Sequence, residues 1–340
     1  MNAPTAATTA TKTISFTEAY SRALHDAMEM DPRVIMLGED IADEEGGGVF
    51  KVTKGLSTKF GSRVRTTPIS EQAIVGAAVG AALAGLRPVA EIMLMNFITV
   101  PMDQIVNHAA KLRFMSGGQT HVPITIRTRT GAGAGTAGQH SDMLEAWFAH
   151  VAGMKVVIPS SPADAYGLLL GCIFDEDPCL FIEDAMTRTQ TGPEPEKGRI
   201  IPLGQANVAR EGTDVTVIGY GRPLRDTLVI AEKLAAEGIS VEVLDLRTVS
   251  PLDTDSILKS VAKTQRAVVV HEAPRSFGAG AEVAARIQEH LYSELKAPVL
   301  RVASRDVTVP FAKVLEQEYL YKPSAIEASI RQTLNGKGRR

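Results

Sequence analysis

The chain has 340 residues, 44% hydrophobic and 22% charged, and its 36 basic and 39 acidic side chains leave a net charge of −3. That is the composition of a soluble globular protein with room for two domains, and it offers no basic field for nucleic acid or a membrane surface. The longest uncharged apolar run, Ala73 to Leu86, falls short of the ~20 residues that span a bilayer and fits a buried core helix.

The N-terminus, MNAPTAATTATK, is small and polar with neither an apolar stretch nor an arginine, so residues 1–13 read as a disordered tail rather than a targeting peptide. A first domain is expected over 14–190. Its strands are predicted at Val34–Leu37, Val64–Thr66, Pro88–Leu94, Ile124–Thr128, Lys155–Ile158 and Leu180–Ile182. Helical patterns fall between them at Phe16–Glu29, Glu71–Ala84, Phe97–Met115 and Pro162–Phe174. Residues 187–204, TRTQTGPEPEKGRIIPLG, lose all periodicity and gather proline, glycine and charge. They read as a linker, drawn at 191–204.

A second domain, 205–335, repeats the alternation with strands in DVTVIGYG, SVEVLDLRT, RAVVVHEA and VLRVASRD. Helices are expected near Leu224–Ala236, Thr254–Lys263 and Gly280–Leu295. Strand–helix alternation implies parallel sheets with right-handed crossovers and helices on both faces. The fold class is therefore α/β, with two doubly wound domains. Cys172 and Cys179 lie in apolar context without CxxC or histidine spacing, as buried reduced thiols of a cytoplasmic protein would.

The run ITIRTRTGAGAGTAGQHSD holds Gly133-x-Gly135-x-x-Gly138 just after a predicted strand, which matches a dinucleotide-binding fingerprint. The helical pattern that follows, Asp142–Val151, is short and soon meets Gly153. The next strand ends in Ile158-Pro159-Ser160, where an acidic ribose-binding residue would be needed. The glycines fit better in a flexible loop that brings His140 to a reaction centre, and an NAD-dependent dehydrogenase stands as the alternative.

In TPISEQAIVGAAVGAALAGLR, Ser70 can cap a helix whose first turn holds Glu71, where the helix dipole favours a negative charge. A capping carboxylate is one reading. The helix that follows is apolar all round, with Gly76, Gly80 and Ala84 every four residues, so it should be buried, with another subunit as one candidate for its cover. A glutamate drawn into such a place tends toward a functional role.

Thr67–Arg87, EIMLMNFITVPMDQ (91–104), AGQHS, DLRTVSPLD and HEAPRSFGAG, in this order, resemble the beta subunit of the thiamine-diphosphate-dependent decarboxylase component of 2-oxo acid dehydrogenase complexes, acetoin dehydrogenases included. The resemblance runs from Ile14 to Leu320. It implies a pyrimidine-binding domain followed by a transketolase C-terminal-like domain. It also implies that Glu71 hydrogen-bonds the cofactor's aminopyrimidine, favouring the imino tautomer that takes the thiazolium proton. Met93 and Phe97 would flank that ring, Phe97 by stacking, although core packing is their ordinary reading. His140 would help pass the acyl group to a lipoyl arm. Asp142 stands where many relatives have glutamine, and His271 is expected at an interface.

The same resemblance suggests a potassium site in the acidic loop FDEDP, formed by Ile124, Cys172, Ile173, Asp175 and Asp177. Thiamine enzymes anchor the diphosphate through a divalent ion at a Gly-Asp-Gly motif, and the sequence has none; Gly38-Glu39-Asp40 lacks the second glycine. The resemblance therefore implies an alpha subunit carrying the diphosphate–magnesium half of the site, in a two-plus-two heterotetramer. It further implies a dihydrolipoamide acyltransferase core with lipoyl domains, and a small substrate among pyruvate, branched-chain 2-oxo acids and acetoin. The rival expectation is a non-catalytic scaffold subunit that kept the fold for assembly.

Overall fold

A computed structural model describes residues 12–335. The first half runs β1 (Thr13–Ser15), α1 (Phe16–Met30), β2 (Val34–Glu39), α2 (Leu56–Phe60), β3 (Val64–Thr67), α3 (Glu71–Leu83), β4 (Arg87–Ile92), α4 (Leu112–Met115), β5 (Thr125–Thr130), α5 (Glu145–Ala149), β6 (Lys155–Val157), α6 (Pro162–Ile173), β7 (Cys179–Asp184) and β8 (Thr191–Pro193). The second half runs β9 (Asn207–Arg210), β10 (Val215–Gly219), α7 (Arg222–Ala235), β11 (Val241–Asp245), β12 (Thr248–Ser250), α8 (Thr254–Thr264), β13 (Ala267–Pro274), α9 (Ala279–Leu291), β14 (Leu300–Ser304), α10 (Lys313–Tyr319) and α11 (Pro323–Leu334).

The first sheet has the order β12-β6-β7-β5-β4-β2-β3 and is parallel except for β12. The second, β14-β13-β10-β11-β9, is parallel except for β9. Helices cover both faces, because strands such as β4, β5 and β7 are buried along their whole length and need apolar cover on either side. Helices α1 and α6 pack on the outer face of the first sheet, and α7 and α11 on that of the second. Between the sheets one apolar cluster joins Val75, Ile92 and Phe148 to Ile218, Leu244 and Val283.

Local chemistry explains most boundaries. Ser15 caps α1, accepting from the Glu18 amide while the Glu18 carboxylate accepts from the Ser15 amide; this is a capping box. Ser161 caps α6 by accepting from the Asp164 amide, and Pro162 opens its first turn, where a proline loses no helical hydrogen bond. The helix expected over Phe97–Met115 is broken instead: a 3₁₀ turn at Met95–Thr99, a π-helical turn at Gln104–Ala109, then α4. Pro101 lies at the first break and has no amide hydrogen to continue a helix.

Two expectations about the connecting segments need correction. The tail drawn over 1–13 ends inside β1, which pairs antiparallel with β8; residues 1–11 lie outside the described residues. The linker drawn at 191–204 contains β8 and is strapped onto α6. Ile201 donates its amide to the Gly167 carbonyl, and a Cβ on Gly167 or Gly171 would stand 2.6 or 2.5 Å from Ile201 atoms. The halves are also knitted together, since β12 follows β11 in sequence yet joins the edge of the first sheet. In the single chain helix α3 leaves one face open: Ala73, Ala77, Gly80 and, just past its end, Ala84 are exposed, and Leu83 is 47% exposed. Among the described residues no helix is long and apolar enough to cross a membrane.

The first sheet carries one buried charge cluster. Arg127 on β5 donates to Glu91 on β4 at 2.7 Å and to Glu183 on β7 at 2.9 Å. Burial pushes the Glu183 carboxyl up to about 7 against the pull of Arg127. Removing the cation strands two buried carboxylates, which is far costlier than losing a surface pair. Arg127→Met should therefore destabilise the fold by about 3–5 kcal/mol at pH 8. Urea unfolding should show a smaller loss at pH 5, where the carboxyls can hold protons.

Candidate active site

Strands β2 and β4 are neighbours, but β2 is followed by β3 on one side and β4 by β5 on the other. Such a switch in winding direction opens a crevice at the carboxyl ends of the strands, where open α/β sheets hold ligands. A cavity lies at this point, lined by Glu39, Glu71, Ile74, Glu91, Ile92 and Met93. Glu39 ends β2, Ile92 ends β4, and Glu71 opens α3. The predicted pair Glu71 and Met93 is thus brought together. Glu39 was not singled out from sequence as a site residue; it ends β2, two residues beyond the strand predicted at Val34–Leu37.

Ser70 stands at the N-cap of α3, but its side chain accepts nothing from the first turn, contrary to the capping expected of it. The Glu71 carboxylate is half-buried and has no hydrogen-bond or ion-pair partner among the described residues. Glu39 is close enough to feel it: burial, then Asp40, then Glu71 push the Glu39 carboxyl above its ordinary range. Glu91 is tied down by Arg127. An unspent carboxylate facing a crevice lined by Ile74, Ile92 and Met93 fits a flat, largely apolar ring with a nitrogen at its edge, with which the carboxylate can share a proton, as an aminopyrimidine has.

The chain then turns through Met95–Thr99, where Phe97 meets His140 edge-on, with ring centroids 5.4 Å apart at 77°. Both are partly exposed. Asn96 holds the His140 loop from below. Its side-chain amide donates to the Gly138 carbonyl at 2.9 Å and to Asp142 Oδ2 at 2.8 Å, and its Oδ1 accepts from the Asp142 amide at 3.2 Å. Asn96 was missed in the sequence, where only its position beside Phe97 could have marked it.

The glycine loop does not serve a dinucleotide. Gly131, Gly133 and Gly135 have φ of 118°, 124° and 73°, which side chains rarely adopt. The amides so turned face this chain's own carboxylates. Ala132 N–H donates to Glu272 at 2.7 Å, and Gly133 and Gly135 donate to Glu316 at 2.7 and 3.0 Å. A pyrophosphate would have to displace them, so the dehydrogenase alternative does not fit. Glu316 gave no signal in the sequence, because α10 was not foreseen.

The residues expected to bind potassium do lie together, but their oxygens already have donors. Arg87 donates to the carbonyls of Ile173 at 3.2 Å and Asp175 at 2.9 Å. The Ile124 carbonyl accepts from Cys179, and that of Cys172 from Asp175. Lys155 Nζ lies 2.6 Å from Asp175 and 3.4 Å from Asp177, and Arg113 also pairs with Asp177. Two guanidiniums and an ammonium of this chain neutralise the loop, so the donor set does not fit an added cation as it stands. No cluster of three or more metal-ligating side chains exists among the described residues.

Family models match the chain in sequence: the transketolase pyrimidine binding domain over residues 12–187 and the transketolase C-terminal domain over 204–326. The beta subunit of acetoin:2,6-dichlorophenolindophenol oxidoreductase from Cupriavidus necator is 44% identical over 331 residues, 95% of this chain and 98% of that one. The beta subunit of Bacillus subtilis 2-oxoisovalerate dehydrogenase is 42% identical, covering 94% and 98%. The mitochondrial pyruvate dehydrogenase E1 beta subunit of Bos taurus is 41% identical, covering 95% and 91%. The chain belongs to this family of transketolase-type beta subunits. A solved split-gene transketolase, described as an inactive beta4 tetramer, superposes with a TM-score of 0.77 at 23% identity, covering 96% of this chain and 99% of that one. That likeness speaks for the fold alone.

In this beta-type chain His271 is fully buried and stacks on Tyr220, centroids 6.3 Å apart and planes 6° apart. Tyr220 donates to the buried Glu145 at 2.7 Å, so the stack joins the two halves. Burial first, and Arg301 second, push His271 down to about 4. In the unfolded chain it would titrate near 6.5. The unfolded state therefore binds an extra proton between about pH 6.5 and 4, and stability from this residue is complete above 6.5 and lost as pH falls toward 4. His271→Asn should flatten that part of the stability profile, measured by urea unfolding at steps from pH 7 to 4.

Proposed function

We propose that this chain is the catalytic beta subunit of a thiamine-diphosphate-dependent dehydrogenase acting on a small 2-oxo acid or acetoin, with acyl transfer to lipoamide. The observation that carries this reading is the unpaired Glu71 carboxylate at the switch-point crevice. When bound, thiamine diphosphate supplies the carbon nucleophile and electron sink needed to cleave the bond beside a carbonyl. Glu71 accepts a hydrogen bond at the pyrimidine nitrogen and holds a shared proton there. Low water access around Ile74 and Ile92 keeps that proton from bulk solvent. Met93 and Phe97 fix the ring plane. His140, steadied by the Phe97 edge and the Asn96-clamped loop, gives a proton to the sulfur released when the lipoyl disulfide takes the acyl group.

The diphosphate end has no place in this reading on the chain itself, because the sequence lacks Gly-Asp-Gly. An alpha subunit would hold the diphosphate and magnesium, and an acyltransferase core would bring the lipoyl domains. The assembly would work in the cytoplasm, where Cys172 and Cys179, both buried and unbridged, stay reduced. The reading needs no potassium, since Arg87 and Lys155 already pair with the acidic loop. Calorimetry of the isolated chain should show no magnesium-dependent thiamine diphosphate binding in the micromolar range, whereas the reconstituted pair should bind.

The decisive variant is Glu71→Gln, made in the reconstituted pair. It keeps the shape but cannot share a proton, so turnover should fall on the order of 10²–10⁴-fold. Melting should hardly move, since only about 0.3–1 kcal/mol of dipole interaction is at stake. Unchanged turnover with a lowered melting temperature would return Glu71 to a helix-start role and favour the scaffold subunit.

A further inference from the structure

We propose that Glu316 is a positioning residue for His140: its buried carboxylate fills the anion nest made by the Gly133 and Gly135 amides and so sets the loop that presents the histidine. The proposal rests on the role given to His140 above. Glu316 is fully buried on α10, and its two oxygens take the Gly133 amide at 2.7 Å and the Gly135 amide at 3.1 and 3.0 Å. Successive amides turned inward by positive-φ glycines form a concavity that favours a negative charge. A phosphate is the usual guest of such a loop; here a side chain from the far end of the chain, 181 residues away in sequence, takes the seat.

The neighbouring contacts are of the same kind. Glu272 accepts from the Ala132 amide, and Arg222 donates to the Ala132 carbonyl at 3.0 Å while pairing with Glu272. Ala132 packs with Val309 and Tyr319, and a Cβ on Gly138 would stand 2.5 Å from Thr308. The second half thus forms the bed on which the loop lies, and Asn96 grips the loop's other end. His140 follows Gly138 by two residues; its ring meets the edge of Phe97 and its amide donates to the Ala137 carbonyl within the loop, so its placement follows the loop that these clamps and the Thr136–Ser141 hydroxyl pair hold. In the sequence the same glycines match a dinucleotide fingerprint but fit a flexible loop better; in the structure they are the receiving half of an internal tether.

The test uses the assembled enzyme with its partner subunit and compares Glu316→Gln with Glu316→Asp, each alone and combined with His140→Ala. Gln removes the charge and turns a donor toward the amides; Asp keeps the charge but withdraws it by one methylene. Hydrogen exchange of the peptide spanning Ala132–His140 reads the clamp directly. Acyl transfer to lipoamide and dye-coupled substrate decarboxylation read its effect. Expected results are faster exchange confined to that peptide in Glu316→Gln and a roughly 10–10²-fold loss of acyl transfer, as misplacement of a reacting group produces. Decarboxylation should lose less, Asp should fall between Gln and the unaltered enzyme, and Gln should cost nothing further once His140 is alanine. Unchanged exchange, or the same loss of acyl transfer in both histidine backgrounds, would overturn the positioning role while leaving that of His140 intact. Full acyl transfer in His140→Ala alone would instead overturn the reading of His140 and this proposal with it.

Discussion

The site depends on β2 and β4 lying side by side while their following strands leave in opposite directions. Backbone pairing alone enforces this. Residues Val34 to Gly38 run in register with Arg87 to Glu91, so the ends of both strands arrive at the same level. A right-handed crossover to each side then leaves no chain above the junction. Glu39, Glu91 and Met93 reach the crevice because their strands end there. Glu71 reaches it because α3 begins there. Moving any of these side chains by one position along its strand would turn it to the other face of the sheet.

Charge around that crevice is sorted by what can be afforded under burial. Glu91 and Glu183 are compensated by Arg127, and Glu272 by Arg222. Glu71 and Glu39 are left without a cation and are only half-buried. Desolvated carboxylates with no partner are expensive in a folded chain, and these two keep part of their surface open to solvent. The acidic loop at 174–178 shows the opposite arrangement, with Arg87, Lys155 and Arg113 spent on it.

The glycine loop ties the two halves to one task. Its amides and carbonyl are claimed by Glu316, Glu272 and Arg222 from the second half, and its far end by Asn96 from the first. A shared apolar cluster between the sheets holds both halves in one relation, and the buried Glu145–Tyr220–His271 stack crosses the same boundary. The loop can therefore be flexible in sequence and fixed in place. Its glycines supply the backbone freedom and the second half removes it.

By itself the sequence determined the alternation of strands and helices, because apolar runs buried on two faces and amphipathic helices have different periods. It determined that Glu71 opens a helix and that Met93 lies at the end of a strand, and through the family resemblance it implied an alpha partner. The motif order from Thr67 to Gly280 was enough to point to the family. Tertiary structure alone decided which strands are neighbours, and hence that Glu39 and Glu71 share one crevice. It alone showed that β12 joins the first sheet, that residues 191–204 strap α6, that Arg87 and Lys155 hold the expected potassium loop, and that Glu316 answers the glycine loop. Each of these is a meeting of residues far apart in the chain, fixed by burial and hydrogen-bond pairing, and local sequence patterns carry no record of such partners.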